Sequence, residues 1–183
     1  MRSIILLATA TIAIPFCISL IAPASIVGVA VSERFLERST TIPPERATEP
    51  LPIDANNLHA WVTSKGTAEY ARAYAARVLP LDFIYLAVFG GFLALGACTL
   101  AAGVAWPPAL AKLPTWIWLV FPVLYVLADA LEDTLIIQMM LQPSTIGNVA
   151  VEALTVLRNT KICSNAVAIA QIFALGLAGA IWG

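Results

Sequence analysis

Four long apolar stretches constrain what this chain can fold into: about Ile4–Val31, Val78–Ala105, Thr115–Leu141 and Ile162–Trp182. Each exceeds the roughly 20 residues that carry an α-helix across about 30 Å of hydrocarbon at 1.5 Å per residue. In lipid every backbone N–H and C=O must be satisfied within the protein, so runs of this kind resolve into helices. The expected fold is all-α: a four-transmembrane-helix, up-down-up-down bundle making one domain of residues 1–183, with a polar loop over 32–77.

The residue balance excludes an ordinary soluble domain. The chain is 60% hydrophobic and 11% charged, with mean hydropathy +0.87, where a soluble domain carries about 25% charged residues. Net charge is −1 and the ten Lys and Arg form no polybasic cluster, so no nucleic-acid partner is expected. The expected partner is the lipid bilayer. Cys17, Cys98 and Cys163 fall in three different stretches, with no CxxC; they read as small apolar residues. His59 alone cannot build a His-rich metal site. The sequence names no cofactor.

Met1-Arg2, an apolar run and Ala22-Pro23-Ala24 resemble a signal peptide with its cleavage site. The run continues to Val31, beyond the roughly 7–15 apolar residues of such a peptide. A retained span is expected, kinked by Pro15 and Pro23.

Within the polar loop, Pro43, Pro44, Pro50 and Pro52 impose extended chain. Asp54–Ser64 then reads as a short helix on the membrane face or capping the bundle. Asp54 suits its N-cap, Leu58, Trp61 and Val62 its apolar side, and Gly66 its C-terminal stop. A second helix from Thr67 through Tyr70, Tyr74 and Arg77 leads to the membrane, and Pro80 kinks it or marks the start of the second span. The turns Trp106–Pro114 and Gln142–Asn148 are short, so consecutive spans are antiparallel neighbours. Val149–Asn159 is amphipathic and is expected to run on into the fourth span.

Small residues recur every four positions: Gly90, Ala94, Cys98 and Ala102 on the second span, Ala166, Ala170, Ala174 and Ala178 on the fourth. Such stripes let membrane helices approach closely, within the chain or in a homo-oligomer or another membrane-protein partner. Trp106, Trp116, Trp118 and Trp182 sit at span ends that share one side, as an aromatic belt requires. The basic residues predict orientation less simply. Arg34, Arg38, Arg46, Lys65, Arg72, Arg77, Arg158 and Lys161 all lie on the side of the polar loop, which a positive-inside count puts in the cytoplasm.

One constellation could carry chemistry. Asp129, Glu132 and Asp133 stand at i, i+3 and i+4, with Tyr125 one turn before, so they share a helix face. Antiparallel packing brings Asp82 of the second span, and Arg158, Lys161 and Asn165 of the fourth helix, to the same membrane half. Three readings compete. In the plainest, Arg158 and Lys161 pair with two of the acids, with Tyr125 and Asn165 in support, because intramembrane charges usually pair and face the bundle interior. In the enzyme reading, Asp82, Asp129, Glu132 and Asp133 are catalytic carboxylates that raise one another's pKa, or hold a divalent metal, for action on a lipid. No partner His, nucleophile serine motif or DxxD lipid-enzyme signature accompanies them. In the transport reading, the acids relay protons or cations, though four spans are few for that. The first reading leads: a non-catalytic accessory or assembly protein rather than an enzyme, with Asp129 protonated as the deepest acid and Glu132 or Asp133 facing Lys161.

Leu79-Pro80-Leu81-Asp82-Phe83, followed by Ala128-Asp129-Ala130-Leu131-Glu132-Asp133, resembles a group of small four-pass bacterial membrane proteins of unknown function. In them an LPLDF-like start of span two is paired with a D-x-x-E-N-like patch in span three. The resemblance covers residues 54–182; Asp133 departs from it, since the group has Asn there. It implies four spans in a bacterial cytoplasmic membrane. Because the group's link between spans two and three is basic, it also implies cytoplasmic termini, against the plain charge count. It implies no activity.

Overall fold

A computed structural model describes residues 2–21, 55–65, 68–107 and 111–182. The described chain is helical, with no strand among those residues: α1 Arg2–Ile21, α2 Ala55–Thr63, α3 Ala68–Ala73, a π-turn Tyr74–Val78, α4 Leu79–Gly103, α5 Val120–Leu141 and α6 Asn148–Trp182. Short 3₁₀ turns, Thr115–Leu119 and Pro143–Thr145, precede α5 and α6. The Ala22-Pro23-Ala24 segment, the proline-rich part of the loop, Asp54, Gly66 and Thr67 lie outside the described residues. So does the side chain of Trp61.

The chain forms two compact units. One holds Met1–Ile14, Ile84–Leu131 and Leu157–Gly183; the other holds Pro15–Phe83 and Glu132–Val156. In the second unit, α2 buries Ala55, Leu58 and Val62, three residues at helical spacing. They join Ala71, Tyr74, Leu79, Ile136, Met139, Met140, Val151 and Leu154 in one cluster. The short helix expected at Asp54–Ser64 thus exists, and its apolar side is packed. Pro80 breaks no helix. Its missing N–H and its ring disturb the turn before it, and there the backbone widens into the π-turn, with Leu79 N–H donating to the Tyr74 carbonyl five residues back.

In the first unit, α4 passes close to α5. A Cβ added at Gly90 would collide with the Val126 side chain, and at Gly96 one would lie 3.0 Å from Ile172 of α6. Phe89 meets Tyr125 edge to face at 5.6 Å. At the far end Ala97, Ala101 and Leu175 form a small core, flanked by Trp106 and Trp118, which stack at 5.5 Å. Trp106 Nε1 donates to the Ala101 carbonyl at 2.8 Å, satisfying one of the acceptors left open at the end of α4. Gln171 of α6 donates to the Trp118 carbonyl at 2.8 Å, closing the entry to α5.

Among the described residues two helices, not four, are long and apolar enough to cross a membrane: Ala71–Gly103 and Asn148–Ile181. Of their most apolar windows only 28% and 17% is buried. The described apolar part of the first stretch, Ile5–Pro15, is too short. The third is diluted by its three acids. The fourth runs as expected: Val149–Asn159 is continuous with it in the 35-residue α6.

The small-residue stripes divide between inner and outer faces. On α4 Gly90 is buried, but Ala102 is exposed, and the inward small residues further along are Gly96, Ala97 and Ala101. On α6 Ala166, Ala170 and Ala174 are exposed, while Ser164, Ala168 and Leu175 point inward. Ala166, Ala170 and Ala174 therefore do not pack against the described residues, whereas Ala178 is half-buried.

Candidate functional site

The site is built on α5. Its buried positions are Pro122, Tyr125, Ala128, Asp129, Glu132, Asp133, Ile136, Met139 and Met140, a stripe at intervals of three and four. The three acids fall on this stripe. They are 4%, 0% and 3% exposed, whereas Leu127 and Leu131 on the outer face are 55% and 56% exposed. The helix has the polarity opposite to that of a helix in water.

In the first unit, Lys161 of α6 meets Asp129. Its Nζ donates to Oδ1 at 2.7 Å, with the lysine side chain 26% exposed and the aspartate 6%. The sequence predicts Glu132 or Asp133 facing the lysine; the bond seen here is to Asp129, and Lys161 has a further interaction of its own. Tyr125 packs one turn away against Phe89. Arg158, one turn before Lys161, is half-buried and engaged in an interaction of its own. Asn165, one turn beyond Lys161, has its Oδ1 buried with no hydrogen bond among the described residues, so it gives the acids no support through that atom.

In the second unit, Asp82 of α4 approaches Asp133, with carboxylate oxygens within 4.8 Å of one another. Asp82 is half-buried. Asp82, Glu132 and Asp133 are each engaged in at least one polar or electrostatic interaction.

Ser164 was not singled out from the sequence. It is 2% exposed, and its Oγ donates to the Thr160 carbonyl at 2.6 Å, with a longer contact to that of Lys161 at 3.2 Å. Hydroxyls satisfied this way loosen the helix ladder locally, here on the turn that carries the lysine. The signal was available: a serine three residues after Lys161, inside an apolar run. Gln171 was legible on the same ground, as an uncharged polar residue in an apolar helix.

No family model, curated protein or solved structure matches the chain.

Proposed function

We propose that this chain is a multi-pass integral membrane protein with four spans, and that its charged cluster holds helices in register rather than performing chemistry, in an accessory or assembly role. The observation that carries the reading is the inverted polarity of α5, with Asp129, Glu132 and Asp133 inside and Leu127 and Leu131 outside. In water such a helix would expose its acids. In lipid it buries them, and the apolar outer face stays solvated by acyl chains. The surface groove formed by Trp116 and Leu119 of the preceding 3₁₀ turn with Val120, Val123, Leu124 and Leu127 of α5 is almost entirely apolar and suits the same environment. The Lys161–Asp129 pair then fixes which turn of α6 meets which turn of α5, the best-attested use of buried charge. The resemblance to small four-pass bacterial membrane proteins accords with this reading. The outward stripe Ala166, Ala170 and Ala174 on α6 is the surface offered to a second copy or another membrane protein.

Cysteine labelling tests the topology. Lys112 and Ser144 are exposed on the links before and after α5. With the native cysteines replaced, Lys112→Cys and Ser144→Cys should react from opposite sides of the membrane. Reaction of both from one side means that α5 does not span.

The approach of Asp82 to Asp133 favours a second reading, a cation-binding or catalytic carboxylate pair. Metal analysis and lipid mass spectrometry on the purified protein separate the two. A stoichiometric divalent metal would replace the structural reading with this one.

A further inference from the structure

Positive charge outside the acid patch gathers on the segment leading into α4. Lys65, Arg72 and Arg77 are all exposed there, against one exposed acid, Glu69, among the described residues of that segment. Two features decide what the arginines meet.

The first is depth. The 25 residues of α4 span about 37 Å at 1.5 Å each, slightly more than the roughly 30 Å of hydrocarbon. With α4 centred on the bilayer, Arg77, two residues ahead of it, stands about 7 Å outside the hydrocarbon edge. Arg72 is about 7 Å further out. The headgroup layer is on the order of 5–7 Å deep on each side, so both guanidinium groups, on long stems, reach it.

The second is azimuth. In a regular α-helix residues five apart point about 140° from one another. The π-turn Tyr74–Val78 advances by less per residue, because its bond closes on the fifth residue. Arg72 and Arg77 therefore stand nearer one flank than α-helical geometry allows. Their charge complements phosphate, which a guanidinium binds through two parallel N–H donors.

We propose that Arg72 and Arg77 bind the phosphates of anionic phospholipid headgroups and set the depth of α4 in the membrane. This rests on the chain being an integral membrane protein. The test is native mass spectrometry of the full-length protein in detergent, offered phosphatidylglycerol or phosphatidylcholine. A basic residue near an anionic surface favours binding about fivefold, so the pair should prefer phosphatidylglycerol by about 25-fold at low salt. Arg72→Gln with Arg77→Gln should remove most of that preference, and Lys112→Gln, on an exposed link elsewhere, should leave it intact. An equal response to the two lipids, or a preference that survives the double substitution, overturns the proposal. Alkaline carbonate extraction of membranes separates this failure from a wider one. A chain retained in the membrane but lacking the preference defeats only the headgroup site. A chain released by carbonate defeats the membrane reading as well.

Discussion

Leu131 and Glu132 are neighbours on α5 with opposite surroundings: the leucine is 56% exposed and the glutamate fully buried. One step along the helix rotates a side chain by about 100°, enough to carry it from the outer face to the inner stripe. On the proposed reading of α5 as a membrane span, the outer face, not the acid face, is the one intolerant of charge.

On that reading Leu131→Lys should impair insertion. A lysine near the centre of a span disfavours insertion by roughly 2.5–3.5 kcal/mol, so the inserted fraction in a membrane-integration assay should fall severalfold. Glu132→Gln keeps the size and removes the charge, and it should insert at least as well as the parent. If Leu131→Lys inserts normally, the outer face of α5 does not meet lipid.

The charge pair gives a second expectation. Removing a base and leaving its acid buried is worse than removing both, since the orphan charge is the unfavourable state. Lys161→Met should lower stability in detergent by about 2–3 kcal/mol, less than the 3–5 kcal/mol of a fully enclosed pair because the lysine is 26% exposed. Adding Asp129→Asn should recover part of the loss in a thermal melt. Equal melting of the single and double variants would show that the pair does not hold α5 to α6.

The sequence predicted much of this arrangement and missed the rest for identifiable reasons. The four apolar stretches located α1, α4, α5 and α6. The i, i+3, i+4 spacing placed Asp129, Glu132 and Asp133 on one face, and antiparallel order brought Lys161 to their level. Which acid it meets depends on a shift of one turn and on helix rotation, and neither is encoded in spacing. Asp129 and Asp133 differ by four residues, about 6 Å along the axis. The α6 stripe left its partner open for a different reason. Ala166, Ala170 and Ala174 suit close packing, but lipid and protein interior are both apolar, so small-residue periodicity identifies a face without saying what covers it. The π-turn left only one trace, Pro80, whose effect falls on the residues before it.

Gln171 gives a third expectation. Its amide donates to the Trp118 carbonyl at 2.8 Å in the turn that opens α5. Gln171→Leu removes the donor and leaves the carbonyl in apolar surroundings, for a loss of about 1–3 kcal/mol. Gln171→Asn is too short to reach and should lose a similar amount. The check is the thermal midpoint of each variant, and midpoints equal to the parent's would mean that the bond does not contribute.

The contact of α4 with α5 at Gly90 supplies the sharpest contrast. A methyl group there meets the Val126 side chain, a β-branched neighbour with little room to turn in a helix. Gly90→Ala should destabilise by about 1–3 kcal/mol, the usual range for overpacking. Gly103, at the end of the same helix, has nothing within 4 Å of the corresponding position. Gly103→Ala lacks the clash and gains helix propensity, so it should be neutral or stabilise by up to about 1 kcal/mol. Val126→Ala provides the internal control: it removes the methyl groups that Gly90→Ala would strike. Combined with Gly90→Ala, it should lose less than the sum of the two single changes, a coupling expected of residues in direct contact. Additive losses in unfolding midpoints would separate Gly90 from Val126 and remove the close approach of these two helices.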